Sequence, residues 1–171
     1  MELKDAIRRR ESVREYLDKA VPESSLRNVL EAARLAPSAA NRQPIKLVVV
    51  REAKRRQELA QAANNQAFVG EAPVVIAAVA PSTPQMMPCG VPGDPVDAGI
   101  MVDHLTLAAV DEGLSTCWIG AFSQERVRKI LGIPKTSLVI VLLPLGYPRK
   151  QRGTKLRKPL EEIVCYETFK A

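Results

Sequence analysis

The chain has 171 residues, 46% of them hydrophobic and 26% charged, the make-up of a globular domain long enough to bury a sizeable core. Its net charge of +6 does not by itself point to nucleic acid. The basic residues gather in two clusters without interleaved aromatics, and only 4% of the chain is aromatic. Lys, Arg, Glu or Pro interrupts every apolar run, and "MELKDAIRRRES" has no signal-peptide core, so the expectation is a cytoplasmic protein with no nucleic-acid or membrane partner.

Residues 2–9 allow a short helix with Leu3, Ala6 and Ile7 on one side. A second helix starts near Pro22, a good first-turn residue, and carries Leu26, Val29, Leu30 and Ala33 at helical spacing. It ends before Pro37. There follows "APSAANRQP" (36–44), a connector bounded by Pro37 and Pro44 that packs Ser38, Asn41, Arg42 and Gln43 into a gap a simple turn could span. "IKLVVVR" (45–51) reads as a strand whose continuous apolar centre suggests burial on both faces.

Residues 52–63 make a polar, Ala-rich helix, and "APVVIAAVA" (72–80) another buried strand. Residues 81–96 hold five prolines and read as an irregular loop, the only long one. Residues 97–113 form a helix with so few polar residues that it should be the central buried one, closed by Gly113. The single histidine, His104, lies within it and reads as a packed core residue rather than a base. "LSTCWIG" (114–120) is a short strand, Ser123 caps "QERVRKIL", and "LVIVLLPLG" (138–146) is a core strand. "EEIVCYETF" (161–169) reads as a final strand separated from the body by a basic stretch. No linker or repeat divides residues 1–171, so they form one domain. Alternating strands and helices usually imply parallel units, but two helices precede the first strand and the last strand trails. A three-layer α+β fold fits better than a doubly wound one.

The sequence lacks the glycine-rich signatures of Rossmann and P-loop sites, and one histidine excludes the common two-His zinc motifs. Two basic devices remain. Arg10, Ser12 and Arg14 alternate, so an extended segment turns two guanidinium groups and a hydroxyl to one side, toward one anion. Lys155 and Arg157 repeat the spacing near the other end, which suggests either a phosphate shared by both segments or two solvated basic runs on the surface. Cys89 and Cys117 read as small apolar packing residues, with a thiol beside the active site as the alternative.

Four stretches together resemble the FMN-dependent nitroreductases, in order and over nearly the whole chain. They are "RRRESVREYLDKAVP", "LEAARLAPSAANRQP", "DAGIMVDHLTLAAVDEGLSTCWIGAF" and "LGYPRKQRGTKLRKPLEEIV". The resemblance implies a three-layer α/β/α fold with a central mixed sheet, and a homodimer with shared active sites in which 161–171 docks on the partner. It implies that Arg10, Glu11 (through its backbone), Ser12, Lys155 and Arg157 bind the phosphate of FMN. Arg14 would lie at the pyrimidine edge of the ring. Pro37 would hold the connector rigid, so that Ser38, Ala39 and Asn41 reach across to the partner's flavin. Ile119 and Gly120 would run along the ring face, and Gln66 would stand where many members place Asn or Lys. In place of the helical insertion of larger members the chain has its Pro-rich loop. The implied activity is oxidation of NADH or NADPH through FMN with reduction of a small acceptor, and the alternative is a flavin-binding sensor or storage protein.

Overall fold

A computed structural model of the chain describes residues 1–81, 85–150 and 155–169. Its centre is a pair of long strands, β2 (Val74–Ala80) and β4 (Leu138–Gly146), joined antiparallel. Strand β1 (Lys46–Val50) flanks β2, and the two-residue β3 (Ser115–Thr116) flanks β4, giving the order β1-β2-β4-β3. All three ladders are antiparallel, and among the described residues the one parallel element is the bridge between Ser12 and Thr116 at the β3 edge. The sheet is therefore mixed only where the amino-terminal segment joins it.

Strand β2 is buried along its whole length, and its alternation assigns the layers. Val74, Ile76, Ala78 and Ala80 face one core, shared with Leu26, Val29 and Ala33 of α2 (Glu23–Arg34) and Val102, Leu105 and Ala109 of α5 (Gly93–Asp111). Val75, Ala77 and Val79 face the other. There they meet Leu59 of α3 (Ala53–Ala62), Val69 of α4 (Ala67–Glu71) and Val127 of α6 (Gln124–Leu131). A short first helix, α1 (Leu3–Arg9), buries only Ala6. The strand period of two thus builds a helix layer on each face.

The register of β2 against β4 shifts between Ala78 and Val79, which skips Ile140. As a result Val141, Leu143 and Leu145 face the α5 side while Val139 faces the α6 side. At that bulge the side-chain amide of Gln124 bonds both backbone groups of Val139, donating to its carbonyl and accepting from its N–H at 3.1 Å. Ser123 caps α6 as expected, its Oγ accepting from Arg126 N, and Gly132 closes the helix at φ 66°.

Several expectations need correction. Strand β1 is an edge strand, with Lys46 exposed, Leu47–Val49 half-buried and Val50 buried, so the expected cover on both faces is present but partial: Leu47 and Val49 meet the α5 side, Val48 and Val50 the α6 side. Helix α5 starts at Gly93, inside the Pro-rich segment, because Pro92 precedes it and Pro95 falls in the first turn, where the missing N–H leaves no bond unmade. His104 is exposed on the face of α5 turned away from the sheet, its Nδ1–H donating to Ile100 O at 3.0 Å. Of 114–120 only Ser115 and Thr116 lie in a strand, with Ile119 bridged separately to Leu142. Residues 161–169 contain no strand. They begin with the end of a 3-10 turn, Leu160–Glu162, and leave Tyr166 78% and Phe169 88% exposed. An apolar strand pattern needs a neighbouring edge to pair with, and among the described residues this segment lies against none.

Gly146 ends β4 opposite Ser115, where an added Cβ would stand 2.6 Å from Pro73 Cδ and 3.1 Å from Tyr16 Cδ1. Both neighbours are held, Pro73 by its ring and Tyr16 by its hydroxyl, which donates to Val13 O at 2.9 Å and Pro144 O at 3.3 Å. Gly146→Ala should cost about 1–3 kcal/mol of stability through overpacking. Urea unfolding checks this, and an unchanged midpoint would show that the strand end shifts freely.

Candidate functional site

After α1 the chain becomes extended and lies along the sheet. Ser12 bridges Thr116, Val13 N donates to Thr116 O at 3.0 Å, and Leu17 N donates to Tyr147 O at 2.9 Å. Val13 and Tyr16 enter a small core with Ala72. Burial pushes the Tyr16 phenol far above its ordinary range, so it is a structural donor rather than a proton source at neutral pH. With Val13 turned inward, Ser12 is half-buried and Arg14 exposed on the surface.

The second basic segment returns to the same place. Lys155 Nζ donates to Ile7 O of α1 at 3.1 Å. Its ammonium pKa is lowered, first by burial, then by the positive charges of Arg10 and Arg157, with Glu11 acting in the opposite direction. Lys155 thus lies within electrostatic reach of Arg10, Glu11 and Arg157. Arg157 turns Nη1 onto its own neighbour, the Leu156 carbonyl, at 2.8 Å. Such a cluster carries excess positive field and suits an anion with several acceptor oxygens. Arg152, which sequence reading places in the same run, lies outside the described residues.

A second group surrounds the turn after β3. Ile119 and Leu142 exchange backbone bonds at 3.0 and 3.1 Å, which fixes the turn to the sheet. Gly120 is exposed and opens onto free space, with nothing within 4 Å of where a Cβ would be. Gln66 reaches the same turn, its Nε2 donating to Ala63 O at 2.9 Å and Ala121 O at 3.4 Å. Trp118 stands between the buried Cys117 and Ile119 and is 46% exposed. Sequence reading quoted this tryptophan without a role. An apolar ring left open beside a glycine suits a flat ligand. Cys117 is buried and Cys89 exposed, so the packing reading holds for the first alone.

The connector forms a third group. Pro37 is exposed, and Ser38 is extended and leads into a 3-10 turn, Ala39–Asn41. Ala40, Asn41 and Gln43 all have left-handed backbone, with φ of 51°, 54° and 52°. Strain of this kind costs roughly 1–3 kcal/mol per residue, least for Asn, and persists only where surrounding bonds impose it. Ser38 Oγ accepts from Gln43 N at 2.9 Å, and Gln43 Nε2 donates to Asn41 Oδ1 at 3.1 Å. Ala39 N donates to Asp97 Oδ1 at 3.0 Å, and Arg42 Nη1 donates to Gln85 Oε1. Gln85 is itself tied to the start of α5 by its N–H on Asp94 Oδ2 at 3.3 Å and by its carbonyl, which accepts from Gly93 N at 2.7 Å. Asp94 and Asp97 are 2% and 4% exposed, and sequence reading missed both. Acidic residues near a helix start are common enough to carry no signal there.

The structure thus unites Arg10, Glu11, Lys155 and Arg157, and separately Gln66 with Ile119, Gly120 and Ala121. Among the described residues, Ala39 bonds to α5 and Arg42 to the loop before it, while the bonds of Ser38 and Asn41 stay within the connector, and none of these reaches either group. The donor sets fit a flat ligand with a phosphate tail, and no group of His, Cys, Asp or Glu among the described residues could hold a metal ion.

A model of the nitroreductase family matches residues 7–147. A protein of Thermus thermophilus named NADH dehydrogenase is 34% identical, over 97% of this chain and 96% of that protein. Among solved structures, a nitroreductase family protein from Clostridium difficile superposes with a TM-score of 0.89 at 32% identity, covering 99% of this chain and all of that one. The NADPH:FMN oxidoreductase of Vibrio harveyi, solved with NAD+, gives 0.90 at 26% identity, covering 99% and 78%.

Protonated Lys155 is the anion-binding form, and burial and like charges lower its pKa from 10.5. Phosphate at fixed ionic strength should therefore raise the melting temperature at neutral pH. The gain should fade as pH rises through the lowered lysine value, before an ordinary lysine would titrate. Thermal melts in phosphate and in chloride test this, and Lys155→Ala should remove most of the difference. An equal gain in the variant would place the anion elsewhere.

Proposed function

The chain belongs to the nitroreductase family, and we propose that it is an FMN-dependent NAD(P)H oxidoreductase that works as a homodimer. The observation that carries the reading is the return of the second basic segment to the first, where Lys155 Nζ donates to Ile7 O at 3.1 Å, just before Arg10 and Ser12. When bound, FMN supplies the redox chemistry, taking hydride from NADH or NADPH and passing electrons to a nitroaromatic, quinone or similar small acceptor in a ping-pong sequence.

The chain's own residues bind, orient and tune. Arg10, Ser12, Lys155 and Arg157 hold the phosphate, with the Glu11 backbone beside them. The compact site offers nothing for an adenine, which favours FMN over FAD. Ile119 and Gly120 form a flat wall for one ring face, and Gly120 matters because a side chain there would fill the open space. Gln66 borders that wall. Arg14 supplies a fixed positive charge at the ring edge where negative charge accumulates on reduction, a form of electrostatic stabilisation that needs no proton transfer. No side-chain base enters, consistent with a lone histidine on an outer helix face.

Two features support a shared site. The connector presents Ser38, Ala39 and Asn41 at the start of α5, apart from the phosphate cluster, so its polar edge serves the flavin of the partner. Residues 161–169 lie open on the single chain, with Ile163, Tyr166 and Phe169 exposed, and the tail 161–171 docks on that partner. The chain is one domain, and this tail is its clasp.

The purified protein should carry non-covalent FMN that NADH or NADPH bleaches anaerobically. Bound flavin that neither nicotinamide reduces would instead mark a sensor or storage protein. Arg14→Ala should lower the flavin potential while keeping its affinity, and Arg157→Ala should weaken FMN by about 1–3 kcal/mol at nearly constant potential. Spectroelectrochemistry and fluorescence titration separate the two, and identical behaviour would refute the division of roles. Deleting 161–171 should abolish dimer and FMN together in light scattering and absorbance. A folded, FMN-loaded monomer would refute the shared site.

A further inference from the structure

Three of four consecutive connector residues, Ala40, Asn41 and Gln43, hold left-handed backbone, and none is glycine. The bonds among Ser38, Asn41 and Gln43 close the loop on itself but do not fix it to the body. Arg42 and Gln85 link two flexible side chains. The connector's backbone is tied to the core by another bond, from Ala39 N to Asp97 Oδ1 at 3.0 Å.

Asp97 is an unusual residue to find there. It is 4% exposed, and its second oxygen, Oδ2, has no hydrogen-bond partner among the described residues. A buried carboxylate with one oxygen idle is costly, and a small apolar residue would pack at that position without the penalty. Its place near the amino-terminal end of α5, where the helix dipole favours negative charge, offsets only part of this. What the carboxylate offers the chain is the bond it makes. An aspartate on a nineteen-residue helix buried against the sheet is also a rigid support for a strained loop.

We infer that Asp97 is the positioning residue of the connector: it holds Ala39–Asn41 in the strained turn that presents Ser38 and Asn41 to the flavin. Asp94, one turn earlier, does the equivalent for the preceding loop through Gln85 N, so the start of α5 organises both segments. This rests on the reading that the connector meets flavin. The claim about Asp97 holding the turn is testable without flavin.

The test uses the full-length protein, Asp97→Ala and Asp97→Asn, with hydrogen exchange by NMR on the apo forms, FMN titration and apo thermal melts. In the apo wild type the Ala39 amide should be protected. Asp97→Ala should lose that protection and bind FMN at least about tenfold more weakly, the equivalent of about 1.4 kcal/mol. Asp97→Asn keeps the acceptor oxygen and should retain both protection and an FMN affinity within about threefold of wild type. A role confined to packing would lower the melting temperature without this rescue by Asn. Fast Ala39 exchange in the apo wild type, unchanged FMN affinity in Asp97→Ala, or an Asn variant as weak as Ala would each overturn the inference. If Asp97→Ala does not fold, wild-type exchange and the Asn variant decide. A wild type that binds no FMN would remove the flavin reading, and the exchange data would still show whether Asp97 holds the turn.

Discussion

Everything in this fold hangs on the pairing of β2 with β4. Both strands are rich in Val, Ile, Leu and Ala, so their backbone bonds are satisfied within the sheet and both faces must be covered. That demand calls for two helix layers at once, α2 with α5 on one side and α3, α4 and α6 on the other. The groups proposed to meet flavin then lie at the margins of this slab. The phosphate cluster sits where the amino-terminal segment joins β3, the flat wall follows β3, and the connector lies between α2 and β1.

These margins share a character that the core lacks. The core joins groups that attract or exclude water together. The margins hold three cations in one neighbourhood, three non-glycine residues in left-handed backbone, and two buried carboxylates each with an idle oxygen. Each arrangement is unfavourable alone and survives because a well-packed slab outweighs it. Local conflict of this kind is where a protein can give up stability for a preformed site, and several of these conflicts lie beside the proposed ligand contacts.

The same division explains what could be read from the sequence. Helices α1, α2, α3 and α6 and strands β1, β2 and β4 were legible because each depends on its own periodicity or cap, as in the spacing of Leu26, Val29, Leu30 and Ala33. The basic residues proposed to hold a phosphate stood out because alternate basic positions suffice to suggest one anion. Illegible features depended on neighbours distant in sequence. How fully an apolar run is covered depends on sheet order, which leaves β1 half-buried at the edge. Whether an apolar helix is covered on all sides depends on what packs there, which misplaced His104. The tail shows the same limit: its apolar alternation suggests a strand, but pairing needs an edge beside it, and among the described residues it lies against none. Five-residue α4 is too short to show a period. Asp97 could not be found, since its meaning lies in Ala39, 58 residues away.

The amide of Gln124, clipped onto both backbone groups of Val139, has a consequence for how the sheet ends. It occupies the positions that an incoming strand would use, so the far end of β4 is sealed against extension. The outer side of β1 has no such plug; it pairs with β2 alone and is defended mainly by the charge of Lys46 at its start. The two margins of the slab are thus unequal in their capacity to recruit another chain. Fibrillar growth or edge-to-edge sticking in concentrated or heated samples has its opening along Leu47, Val48 and Val49, and charge introduced on that margin is the means of closing it.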